Sequence, residues 1–169
     1  MCGHFGAVIA GSVRIRPDLA GFRTELAIMT TTTATRNETA LDQAVGRWNA
    51  GDLDGYLELY DPAMRLHGYA PDPMDRAEVA RFYAGIFAAF PGCTLTLHET
   101  FSDGDRLSCR FTLTGRHDGP FLGVPATGRN IALPGITVLH FRDGRCIERW
   151  SCADLLGVLV QIGAIPPPA

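Results

Sequence analysis

Residues 116–129 read RHDGPFLGVPATGR and separate two strand-like runs, 106–115 and 130–141. A connection that only joined two strands is shorter and more polar than this one. Gly119, Gly123, Gly128, Pro120 and Pro125 punctuate the segment, and Phe121 and Leu122 stand at its centre. Two readings fit: a hydrophobic tuck that closes a core, or a wall over a cavity at the open end of a sheet.

Outward from the loop, apolar residues recur with a period of two. Leu107, Cys109, Phe111 and Leu113 alternate with Ser108, Arg110, Thr112 and Thr114, and upstream Leu95 and Leu97 alternate with Thr94, Thr96 and His98. Downstream, Asp143-Gly144 is a hairpin signal, and 145–152 is the last strand. Four antiparallel strands joined by local turns follow. Before them the period is helical. Leu41, Val45 and Trp48 share one face of a helix expected over 37–50 with Asn37 as its cap. Asp52 caps a short helix carrying Leu53, Tyr56, Leu57 and Tyr60, which Asp61-Pro62 ends. A short strand is expected over 64–69. Asp75 and Glu78 make a capping box for a helix that ends near Phe90, and a last helix covers 154–162. The order predicts an α+β fold in which a strongly curved sheet wraps around helices and leaves a cavity at its open end.

The chain has 169 residues, 46% hydrophobic and 20% charged, enough for one domain with its own core. A net charge of −3 argues against a nucleic-acid partner, and no run is long enough to span a membrane. Five cysteines without a CxxC pair suggest reduced thiols in a cytoplasm and no zinc site. An apolar patch at 6–11 precedes Arg14 and Arg16, the wrong order for a signal peptide. Either Met29 is the natural start, or residues 1–36 are a flexible or weakly packed extension. The domain is expected over 37–164, with a proline-rich tail at 165–169.

No nucleotide loop, nucleophile elbow or zincin motif is present, so any reaction is expected to run on general acid–base chemistry without a cofactor. The candidate proton-transfer groups are His67, Glu148, Ser151 and Asp154. Trp48, Tyr60, Arg110 and His117 are candidate binding groups. Each has a structural alternative: His67 as a satisfied core histidine, His117 bonding its own loop, Asp154 as the cap of the last helix, and Arg110 in a cross-strand ion pair. A cavity-facing Arg110 would take Glu148 or Asp154 as its partner. Glu148, Trp150 and Cys152 share one parity of the last strand, and Ile147, Arg149 and Ser151 the other; which parity faces the cavity stays open.

HDGPFLGVPATGR (117–129), GITVLHFRDGRCIERW (135–150) and DLLGVLVQIG (154–163) together resemble the SnoaL-like polyketide cyclases of the nuclear-transport-factor-2-like superfamily. RWNAGD (47–52), the Tyr60-Asp61-Pro62 turn and AFPG (89–92) extend the resemblance from about 38 to 163. It implies a cone-shaped fold with a deep apolar pocket, usually a homodimer, that acts on a small hydrophobic substrate with no metal or cofactor. The founding members close a ring by an intramolecular aldol reaction, with an aspartate as acid/base directly after the last strand's tryptophan. That position is Ser151 here, a poor base without an activating partner. His67 becomes the expected proton-transfer group, assisted by Asp154 or Glu148, while Phe121, Leu122 and Trp150 become expected pocket residues. The functional expectation is a cofactor-free cyclase or isomerase. A binding protein of the same fold, or an epoxide or lactone hydrolase, is the alternative.

Overall fold

The structure, a computed structural model, describes residues 19–167. Expectations that fall on residues 1–18, and on the end of the tail at 168–169, lie outside the described residues. The elements run α1 (Leu19–Asn49), α2 (Leu53–Leu57), β1 (Tyr60–His67), α3 (Arg76–Ala89), β2 (Thr94–Asp103), β3 (Arg106–Arg116), β4 (Asn130–Arg142), β5 (Arg145–Ala153) and α4 (Leu155–Gln161). The sheet order is β1-β5-β4-β3-β2, with β1 parallel to β5 and the remaining pairs antiparallel. This is the expected α+β arrangement of a curved mixed sheet with helices on one face.

Alternation sets that face. Leu107, Cys109, Phe111 and Leu113 of β3 and Ile131, Leu133, Thr137, Leu139 and Phe141 of β4 are buried, while their neighbours point outward. Trp48 of α1, Tyr56 and Leu57 of α2, and Val79, Tyr83 and Ile86 of α3 complete the core against it. Both halves of the Asp75–Glu78 capping box form, which fixes where α3 starts. Asp52 and Asp154 cap α2 and α4 by accepting from Gly55 and Gly157 N–H.

Two boundaries differ from the sequence expectation. α1 starts at Leu19, so Asn37 lies inside the helix, buried, with Nδ2 donating to the Gly104 carbonyl. The threonines on either side of it do not break the helix; Thr35 and Thr39 bond back to the carbonyls four residues earlier. Tyr60 opens β1 rather than closing α2, and Pro62 lies within that strand. β1 is an edge strand whose register shifts between Tyr60 and Arg65, a place where a missing N–H costs no ladder bond.

The 116–129 loop is pinned from both sides. His117 accepts from Thr127 and Gly128 N–H and donates to Arg129, and Asp118 and Gly119 N–H both donate to the Ala89 carbonyl at the end of α3. Phe121 packs on Phe90, ring centroids 5.0 Å apart, while Leu122 is exposed at a φ of 46°. The loop thus tucks Phe121 under the end of α3 and closes that end of the core.

Cys93, Cys109 and Cys146 are buried free thiols and Cys152 is exposed. Burial raises Cys93 and Cys109 and pushes Cys146 up to about 12. Cys152→Ser should therefore remove the one fast-reacting thiol among these four when native protein meets a disulfide reagent. Fast labelling of Cys146 in folded protein would contradict this packing.

Candidate active site

One recess opens into the concave face. Trp48, Phe82, Tyr83 and Phe111 form much of its wall, and Tyr56, Tyr69 and Arg149 supply its polar atoms. It encloses about 460 Å³ of empty space out to its mouth, but only about 40 Å³ is wide enough for the centre of a water molecule. The aromatic side chains fill much of the expected pocket. Trp48 meets Tyr56 and Tyr83 edge to face and lies tilted on Phe87, which fixes that wall.

A strand irregularity puts Arg149 there. The β4–β5 register shifts between His140 and Phe141: Phe141 pairs with Cys146 and His140 with Glu148, which leaves Ile147 as the extra residue. Cys146, Arg149 and Ser151 consequently all point inward, and Glu148, Trp150 and Cys152 point outward. Arg149 is 6% exposed and forms no ion pair with a carboxylate among the described residues. Its Nε donates to Thr137 Oγ1 (2.8 Å) and Ser151 Oγ (3.1 Å). Its Nη1 lies 2.6 Å from the Tyr60 hydroxyl, 3.0 Å from that of Tyr56 and 3.2 Å from that of Tyr83. Among the described residues Nη2 has no hydrogen-bond partner, and Arg149 is one of the residues that line the recess.

Tyr60, Tyr69 and Tyr83 stay protonated. Burial raises Tyr60, Tyr83 and Tyr69, outweighing the Arg149 charge that lowers them. Burial opposes the charge on Arg149 as well, but the phenol oxygens favour it, and the guanidinium remains a cation. Tyr56, Tyr60 and Tyr83 form a chain of hydroxyls with two links of 3.3 Å. Three O–H donors serve two links, so one O–H is left at an end of the chain, on Tyr56 or Tyr83, and both of these line the recess. A cation edge beside a spare phenol donor is an arrangement that stabilises an oxyanion.

The sequence candidates divide between two faces. Trp48, Tyr60 and Ser151 belong to the recess or to the shell around Arg149. His67, Glu148 and Trp150 come together on the outer face: His67 Nε2 lies 3.0 Å from Glu148 Oε1, and its ring stacks on Trp150 at 5.0 Å. His67 and Trp150 border a shallow open cleft with Ile136 and Val138. Asp154 caps α4. Arg110 is exposed and pairs with Glu99, its cross-strand neighbour on β2, rather than with Glu148 or Asp154; β3 has β2 and β4 on either side and never meets β5. His117 is fully buried, with Nδ1 on Thr127 Oγ1 at 3.0 Å. Neither it nor Phe121 nor Leu122 borders the recess. Arg149, Tyr56, Tyr69 and Tyr83 were not among the sequence candidates. For Arg149 the signal was the parity it shares with Ser151; the tyrosines carried none. Among the described residues no cluster could hold a metal ion, and no helix is long and apolar enough to cross a membrane.

A curved five-stranded mixed sheet that closes an aromatic recess with N-terminal helices is the nuclear-transport-factor-2-like fold. AclR from Streptomyces galilaeus, named as a candidate hydroxylase, matches with a TM-score of 0.75 and 26% identity over 80% of this chain and 86% of that one. IdmH from Streptomyces antibioticus, named as a candidate polyketide cyclase, matches with 0.66 and 29% over 75% and 98%. The profile of the SnoaL-like polyketide cyclases matches residues 38–162, and the chain belongs to that family. Aklanonic acid methyl ester cyclase DnrD of Streptomyces peucetius is 32% identical over 65 residues, 38% of this chain and 45% of that protein. DauD of Streptomyces sp. strain C5, of the same name, is 33% identical over 36% and 38%. The matched segment spans less than half of either curated relative.

Proposed function

We propose that this protein closes a ring in a small, largely apolar polyketide-type intermediate, without a cofactor, by holding an enolate oxygen on Arg149. The observation that carries this reading is a buried guanidinium with no carboxylate partner at the polar end of an aromatic recess. In the proposed step a carbon between two carbonyls gives its proton to water at the mouth. The electron pair left behind spreads onto a carbonyl oxygen held by Nη2, and the carbon attacks a second carbonyl of the same molecule. One C–C bond forms and one C=O π bond opens. The new alkoxide takes the spare phenol proton, which water replaces. Excluding solvent strengthens the Arg149 interaction as charge develops.

Ser151 has a positioning role in this scheme, since its hydroxyl fixes Arg149 Nε. An aspartate there would lie against the same nitrogen and neutralise the cation. The serine and the uncompensated arginine thus form one device. A second reading, a binding protein that uses the same recess, is favoured by one observation: no carboxylate or histidine lines the recess.

Aklanonic acid methyl ester, the compound named for the curated relatives, is the first substrate to assay. Chromatography should show ring closure faster than in buffer. The pH–rate profile should lack a histidine inflection near about pH 6.5. His67→Ala and Asp154→Asn should stay within about threefold of wild type, since neither side chain reaches the recess. A loss of about a hundredfold in His67→Ala would move the chemistry to the His67–Glu148 pair on the outer face. Tight binding with no closure would favour the binding protein.

A further inference from the structure

We propose that the recess takes its ligand as a preformed organic monoanion: a carboxylate on a compact apolar body, its oxygens set against Arg149 Nη2 and the spare phenol. This rests on the reading of the recess given above for its cation edge, and sets a carboxylate in the place given there to the enolate oxygen.

The argument starts from the imbalance at Arg149. A buried arginine ordinarily has a carboxylate beside it, because an unpaired cation out of water is costly. Among the described residues Arg149 hydrogen-bonds only to neutral oxygens, those of Thr137, Ser151, Tyr56, Tyr60 and Tyr83. Five neutral contacts orient the guanidinium and leave its charge whole. The polar groups that line the recess are the Arg149 guanidinium and the hydroxyls of Tyr56, Tyr69 and Tyr83, with no charged acceptor among them. A neutral ester or amide placed there leaves the cation unpaired, whereas a carboxylate pairs with it and accepts the phenol proton as well.

The absence of a base among the lining residues points the same way. Among the described residues no carboxylate or histidine lines the recess to take a ligand's proton, so the ligand that gains most is one already ionised at neutral pH.

Calorimetry on the full chain tests this with cyclohexanecarboxylate, its methyl ester and its amide. The carboxylate should bind roughly tenfold or more tighter than either neutral analogue, the margin expected of a charge-assisted contact. Ser151→Asp, which sets a carboxylate against Arg149 Nε while keeping the arginine, should abolish that preference, as should Arg149→Met. Equal binding of the three probes overturns the proposal, as does failure of all three to bind below about 10 mM. A preference that survives in both variants places the anion elsewhere and also overturns it. A parallel titration with 1-phenylbutane-1,3-dione separates the other source of an oxyanion. If the dione tightens as it ionises while the carboxylate does not bind, the recess takes an enolate and the carboxylate assignment falls.

The two readings fail separately. Charge preference without closure of aklanonic acid methyl ester removes the cyclase and leaves the anion site. Closure without charge preference does the reverse.

Discussion

Arg149→Met should lower the rate of ring closure by about 100- to 1,000-fold, the range seen when a preorganised oxyanion donor is removed. The methionine keeps comparable bulk and loses the Nη2 edge. The loss should fall on kcat more than on KM, because the arginine acts most strongly where negative charge develops. The same substitution should be mild for stability. It removes an uncompensated buried cation, and the chain of hydroxyls from Tyr56 through Tyr60 to Tyr83 keeps its two internal links. The melting temperature should stay within about 4 °C of wild type or rise, equivalent to 1–2 kcal/mol for a domain of this size. Paired measurements distinguish this from a packing effect: a large loss of activity with an equally large loss of melting temperature would make Arg149 a structural residue. Arg149→Lys should restore little activity, since one ammonium cannot reach Thr137, Ser151, the phenols and the recess together.

Where two-residue alternation was unbroken, the sequence could be read directly. Leu107 to Leu113 of β3 keep one parity throughout, and their buried face is the expected one. The capping residues Asp52, Asp75 and Asp154 were also visible, because each cap is a local interaction within a few residues. The site was harder to read because it depends on a break in the pattern. With Ile147 as an extra residue, Cys146 and Arg149 both turn inward although three positions separate them. No spacing rule yields that. His67 and Glu148 drew notice by residue type, but their partners were set by β1 joining the β5 edge in parallel, a long-range pairing that the local pattern does not carry. The tyrosine cluster was hidden for the same reason. Tyr56, Tyr60 and Tyr83 come from three different elements and meet only when α2 and α3 pack on the sheet. Thr35 fell in the expected extension, yet its hydroxyl finds a partner within the helix, the carbonyl of Thr31.

Gly68→Ala should cost about 3 kcal/mol or more, among the larger effects expected of a single substitution. In a chain of this length that corresponds to a fall of roughly 6–12 °C in melting temperature. Two causes add. Gly68 has a φ of 102°, which side-chain-bearing residues rarely adopt, and a Cβ there would collide with the carbonyl oxygen of Ser151. That obstacle is backbone of the neighbouring strand β5, which cannot swing away as a side chain could. Gly123→Ala separates the causes, because Gly123 has a φ of 82° and nothing within 4 Å of its Cβ. It should cost only about 1 kcal/mol, the strain of the conformation alone. If the two variants melt together, the close approach of Gly68 to Ser151 contributes nothing. If Gly68→Ala is markedly worse, the surviving folded protein should also be impaired in the recess. Displacing Ser151 draws its hydroxyl away from Arg149 Nε, so the glycine that lets β1 approach β5 also keeps the guanidinium aimed at the ligand.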